Sequence, residues 1–110
     1  MTFVYSEISF LARWWDTAAN ATQKAMLLKL VNEGRFEILT GGWVMPDEAC
    51  PSLFALSQQL IEGREWIRNN LNHKPTAAWS IDPFGHGSVM PYLLQQSGIK
   101  GMMIGVSLQI

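Results

Sequence analysis

The chain has 110 residues, nine acids against eight lysines and arginines, a formal net charge of −1 and a 48% apolar share. That length leaves room for one domain, and so even a charge argues against a nucleic-acid partner, which would favour a basic stripe. No apolar run is long enough for a transmembrane segment, and the lone Cys50 excludes an internal disulfide or a thiolate metal cluster.

No charged region followed by an apolar one opens the chain; Thr2 leads straight into Phe3-Val4-Tyr5-Ser6, which predicts a short buried strand. From Ile8 the spacing changes, and Ile8, Leu11, Ala12 and Trp15 recur at helical intervals. Trp14 and Trp15 then place one ring on the buried face and one at its edge, as core packing rather than a ligand platform. Thr22 is positioned to cap a second helix with Met26, Leu27, Leu30 and Val31 on its apolar face, and Gly34 suits its left-handed end.

Phe36 to Leu39 alternates with Glu37 and predicts a second strand, broken by Thr40-Gly41-Gly42. The following stretch carries Trp43, Asp47 and Glu48 and leads into a long helix from about Ser52 to Leu71. Leu53, Leu56, Leu60, Ile67 and Leu71 mark one face, and Glu62 with Arg64 to Arg68 reads as a solvated one. Gly63 lowers the local helix propensity by roughly 1 kcal/mol, which a close packing contact would explain. A loop through His73, to which no role attaches, precedes a third strand over Thr76 to Ile81. The next helix starts near Ser88, with Pro91 harmless in its first turn and Gly98 closing it, and Met102-Met103-Ile104 begins a fourth strand. Strands alternating with helices predict one parallel sheet in an α/β segment, with the loops after each strand opening on one face.

Those loops carry Glu7, the pair Asp47 and Glu48, and the run Asp82 to His86. Asp82 stands at a strand's end, and Pro83 holds its backbone extended. Phe84 adds an aromatic wall, and Gly85 and Gly87 allow a sharp turn around His86. Several acids, a histidine and aromatics suit a polar neutral substrate such as a sugar, and paired carboxylates are the equipment of glycoside hydrolysis. Asp47 and Glu48 suit a helix cap equally well, and His86 alone reads as a loop hydrogen-bonder. Asp82 with His86 could ligate a metal, but two ligands are too few for a closed zinc site. A dinucleotide fingerprint at Gly85-His86-Gly87 is weak, because its third glycine falls on Met90 and Asp82 would face the phosphates.

The strings GGWVMPDEA (Gly41 to Ala49), LIEGREWI (Leu60 to Ile67) and WSIDPFGHGSVMPYLL (Trp79 to Leu94) resemble glycoside hydrolase family 38 α-mannosidases. FVYSEISFLARWW at the start matches as well, and MPYLL looks closest to the Golgi α-mannosidase II branch. The resemblance implies that residues 1–105 are part of the family's N-terminal catalytic α/β domain, an incomplete parallel-sheet (β/α) segment, with 106–110 a divergent tail. It implies a zinc-dependent, retaining enzyme cleaving α-mannosidic bonds of mannose-containing N-glycans in the Golgi lumen. Asp82 would be catalytic nucleophile and zinc ligand, and Phe84 would line the sugar site. Asp47, Glu48 and His86 fall in the active-site neighbourhood without an assigned role, and a homodimer of the parent enzyme stays open.

The family's His-x-Asp-Pro-Gly-Trp zinc motif is absent, as are its acid/base aspartate and downstream histidine. Val106 stands where the family has an arginine, and Val106-Ser107 can be encoded by GTAAGT, a splice-donor sequence, so intron read-through or a mispredicted gene boundary is expected for the tail. The isolated chain is therefore expected to be inactive, with the other zinc ligands outside it. Three alternatives stay open: a non-catalytic truncated isoform that binds glycan or full-length enzyme, a lysosomal-type fragment, and a small metal-free enzyme using Asp82 and Asp47.

Overall fold

The structure, a computed structural model, describes residues 1–105; the divergent tail expected at 106–110 lies outside the described residues. Its elements run β1 (Phe3–Tyr5), α1 (Ile8–Thr17), α2 (Ala21–Asn32), β2 (Phe36–Ile38), α3 (Leu53–Leu71), β3 (Ala77–Ser80), α4 (Val89–Gln96) and β4 (Gly101–Ile104). This is the order the periodicity predicts. No helix among the described residues is long and apolar enough to cross a membrane.

The single predicted sheet is divided. β1 pairs parallel with β2, Phe3 opposite Phe36 and Tyr5 opposite Ile38, and β3 pairs parallel with β4, Ala77 opposite Gly101. Between the two sheets lies the turn after β2, where Thr40 and Gly41 take left-handed backbone conformations, at φ 63° and 76°. Such a bend ends a strand, and for a β-branched residue it is a strained one. Thr40 nevertheless holds the two sheets together. Its N–H donates to the Ala77 carbonyl at 2.9 Å, and its hydroxyl accepts from Trp79 N at 3.1 Å and donates to Trp79 O at 3.2 Å.

Two apolar clusters form the core. Ile8, Leu11, Trp15, Leu27, Val31 and Ile38 gather around the first sheet, with Ile67 and Leu71 from α3. Ala78, Met90, Leu94 and Ile99 gather around the second, with Leu56 and Leu60 from the same helix. α3 thus spans both clusters, one half of its buried stripe in each. Gly63 lies between the halves, against the turn backbone. A Cβ there would collide with the Gly41 carbonyl oxygen and come within 2.6 Å of Trp43 N. The close packing anticipated at this glycine is real.

Four details depart from the sequence reading, the first being β1, whose Phe3 and Val4 are exposed rather than buried. Asn20 rather than Thr22 caps α2, because it forms a reciprocal box with Gln23: each backbone N–H donates to the other's side chain at 2.9 Å. Met26 and Leu53 are exposed, so the apolar faces of α2 and α3 are narrower than drawn. Trp14 and Trp15 fall as expected, Trp15 buried and edge-on to Trp66, Trp14 at the rim. Arg64 is not part of a solvated face: it donates to Ser97 O at 2.9 Å and Thr40 O at 3.1 Å, and burial lowers the pKa of its guanidinium. Gly34 and Gly98 end α2 and α4 at positive φ, as predicted.

The sheet faces away from the helices present an open groove of about 490 Å³, bordered by Val4, Leu39, Trp79 and Met103 among others. Uncovered apolar surface of this kind weakens a small domain. Stability should therefore be low and sensitive at the turn. Gly63→Ala, which on propensity alone would gain roughly 1 kcal/mol, should instead lose about 1–3 kcal/mol because the neighbours are backbone atoms. Thr40→Val should lose a similar amount by leaving the Trp79 peptide groups without the hydroxyl, roughly 1–3 kcal/mol. Urea unfolding of the 110-residue chain measures both; a Gly63→Ala chain more stable than the parent would contradict the packing.

Candidate functional site

Within each sheet the strands run parallel, and the contacts of Glu7 with Met45 and of His86 with Glu48 and Gly105 gather the segments that follow all four strands. After β1 comes Glu7, itself left-handed at φ 57°. Glu7 flanks α1 yet caps it with no side-chain bond. The first amides of α1 are satisfied elsewhere: Ile8 N donates to Gly42 O at 3.0 Å and Ser9 N to Trp43 O at 2.9 Å. The Glu7 carboxylate turns toward the segment after β2 and accepts from Met45 N at 3.4 Å.

Asp47 and Glu48 separate in role. Neither caps α3, since Ser52 does so by accepting from Ala55 N at 3.2 Å. Asp47 folds its own loop, its carboxylate accepting from Ala49 N at 3.2 Å, and it raises the pKa of the neighbouring Cys50 thiol by hydrogen bonding and charge. Glu48 reaches across to the loop after β3. Its Oε2 lies 2.8 Å from His86 Nδ1, while His86 Nε2 lies 3.2 Å from Gly105 O just beyond β4. The structure thus joins Glu48 and His86 and leaves Asp47 out.

Asp82 sits directly past β3, exposed, with no hydrogen bond or ion pair among the described residues. Phe84 is 89% exposed, its ring free of core contacts. An accessible carboxylate beside an accessible aromatic ring is fit to meet a ligand, and neither group serves the fold. No three His, Cys, Asp or Glu side chains among the described residues come together as a metal-binding group. Asp82 offers one donor, and His86 has both ring nitrogens engaged, so these residues do not by themselves hold a zinc ion.

The space beneath these loops is small. A cleft of about 10 Å³ between Glu7, Thr40, Met45, Trp79 and Ser80 has room for one water and none for a sugar ring. A larger cleft of about 390 Å³ lies beside Arg64, Arg68, His73 and Lys74, before β3 begins and away from Asp82. Size therefore does not mark the site here, whereas placement at the strand ends does. Sequence reasoning missed Thr40 and Arg64 as the frame of the site. A threonine opening a Gly-Gly turn was the available signal.

Residues 1–106 match the Glycosyl hydrolases family 38 N-terminal domain. Over 104 residues the chain is 58% identical to "Alpha-mannosidase 2" of Spodoptera frugiperda, covering 94% of this chain and 9% of that protein. To "Alpha-mannosidase 2" of Homo sapiens it is 51% identical over 102 residues, covering 93% of this chain and 9% of that one. The chain thus spans about a tenth of the length of these relatives. Among solved structures, 4-alpha-glucanotransferase from Thermococcus litoralis superposes with a TM-score of 0.73 at 17% identity, over 99% of this chain and 18% of that one. At that identity the likeness is one of fold, and it places these short parallel strands and helices within a larger α/β architecture. On the match over nearly its whole length, the chain belongs to glycosyl hydrolase family 38 and forms part of that family's N-terminal domain.

Proposed function

We propose that the chain supplies the nucleophile-bearing segment of a retaining α-mannosidase that acts on mannose-containing N-glycans in the Golgi lumen. The observation that carries this reading is Asp82. It is an exposed carboxylate, without a partner among the described residues, on a proline-stiffened loop at a strand's C-terminal end, next to an exposed Phe84, in a chain 58% identical to an alpha-mannosidase 2. Asp82 would attack the anomeric carbon and form a glycosyl-enzyme, and water would then release the sugar with its configuration retained. Phe84 would give the apolar face of the sugar ring a surface to stack on.

Retaining hydrolysis needs a second carboxyl group as acid and base, about 5–5.5 Å from the nucleophile. Asp47 is committed to its own turn and Glu48 to His86, so neither fills that role. The small metal-free enzyme built on Asp82 and Asp47 is disfavoured for the same reason. Zinc, as the family resemblance implies it, would find one donor in Asp82 and require the rest from outside the described residues.

Two measurements test the proposal. The 110-residue chain alone should hydrolyse no chromogenic α-mannoside, with or without added zinc; turnover would refute the division of labour argued here. Residues 1–105 exchanged for the matching segment of the Spodoptera frugiperda relative should sustain α-mannoside hydrolysis. In that exchanged enzyme Asp82→Asn should lower kcat by about three or more orders of magnitude, the scale set by removing a covalent nucleophile. Phe84→Ala should raise KM more than it lowers kcat, by roughly tenfold for a lost stacking contact. An Asp82→Asn enzyme with near-normal kcat would exclude the nucleophile assignment.

A further inference from the structure

Residues 82–87 belong to no helix or strand, and the hydrogen bonds described for them are the two made by the His86 ring. A carbonyl oxygen can only accept, so Nε2 carries a proton and donates it to Gly105 O at 3.2 Å. The 2.8 Å contact between Nδ1 and Glu48 Oε2 then needs one more proton, held by the ring or by the carboxyl group. Either way a single proton bridges the two side chains. The Glu48 side chain is 2% exposed and the His86 side chain 25%, so this bridge forms largely out of water, where it is stronger. Glu48 Oε1 is buried with no partner among the described residues, which leaves His86 as the compensating group for the carboxyl.

We infer that Glu48 and His86 are a positioning pair: a proton-bridged clamp that ties the loops after β2 and β3 to the end of β4 and so fixes the segment presenting Asp82 and Phe84. His86 follows Asp82 by four residues, and β3 ends two residues before it, so the clamp and the strand grip the carboxylate from both sides. Without the clamp the glycines at 85 and 87 would let the segment swing. Gly85 is already at φ 130°, with open space around it. That the held segment is catalytic rests on the function proposed above; that it is held does not.

Backbone 15N relaxation on the 110-residue chain tests the clamp. His86→Ala and Glu48→Ala should each lower the order parameters at Phe84 to Gly87 from the rigid range, about 0.85, to below about 0.6, while Ala78 to Ser80 in β3 stay rigid. His86→Asn, whose amide nitrogen can stand where Nδ1 does, should keep the order that His86→Gln loses. In the exchanged enzyme both alanine variants should lower kcat by about 10–100-fold with KM within about threefold, and the double variant should fall no further than the worse single one. A merely structural pair would instead loosen β3 as well and would show no rescue by His86→Asn. Unchanged order parameters at Phe84 to Gly87, or additive losses in kcat, would overturn the inference. If the exchanged enzyme folds but hydrolyses no mannoside, the proposed function fails, and the relaxation pattern alone decides the clamp.

Discussion

The structure depends on the backbone of one buried turn, Thr40 to Trp43. Peptide groups taken out of water must find partners, and here nearly every one finds a different element. Thr40 N and Oγ1 bond to β3, Thr40 O accepts from Arg64, Gly42 O and Trp43 O accept the first amides of α1, and Trp43 N donates to Gln59 O on α3 at 2.9 Å. Arg64 then continues the connection to Ser97 at the end of α4. One turn therefore fixes the start of α1, the depth of α3 and the offset between the two sheets. Gly63 is the geometric condition for all of it, since any larger residue would lift α3 off the turn and stretch these bonds together.

The same turn sets the direction of the chain toward the site. Left-handed backbone at a threonine and at Glu7 costs on the order of 1–3 kcal/mol each, and it persists where neighbouring contacts over-determine it. At Thr40 those contacts are the bonds to β3 and the Arg64 guanidinium. At Glu7 they are the two α1 amides on the turn carbonyls, which make a side-chain cap unnecessary and free the carboxylate to hold Met45. Met45 lies three residues before Glu48. A frame set at Thr40 thus carries through to the residue that meets His86.

The order of elements was legible because it rests on apolar periodicity, which depends on neighbours three or four residues apart. What periodicity cannot see is a contact between positions far apart in the chain. Arg64 sits among charges on a helix and looks solvated until Thr40, 24 residues earlier, takes its proton donors. The division of the sheet was likewise hidden, since Thr40-Gly41-Gly42 announces a break but not that a hydroxyl will substitute for a strand pairing. At α2 two good caps competed, and Asn20 won because Gln23 lay at the spacing that closes the box. The site was legible in part. Asp82 and Phe84 were singled out by the stiff loop around them, and Glu48 and His86 were grouped with them, but their pairing across 38 residues needed coordinates.

A carboxylate becomes a nucleophile through its surroundings, and the surroundings of Asp82 divide into two kinds. One kind is geometric: a strand end, a proline, a clamped histidine and a sheet anchored by the turn. These are all present in the described residues. The other kind is chemical: a second carboxyl group at working distance, a cavity the size of a sugar ring, and a set of metal donors. Among the described residues no three metal-donor side chains gather, Asp47 and Glu48 are bonded elsewhere, and the cleft at the strand ends holds about 10 Å³. The two kinds separate cleanly because geometry is local to a loop and its sheet, whereas a substrate cavity needs walls from several sides. Catalytic groups must be held to within a fraction of an ångström, so the geometric half is not a minor share. Under the proposed function, a chain spanning about 9% of its relatives supplies the aim of the nucleophile, and the reactivity comes from what surrounds it in the whole enzyme.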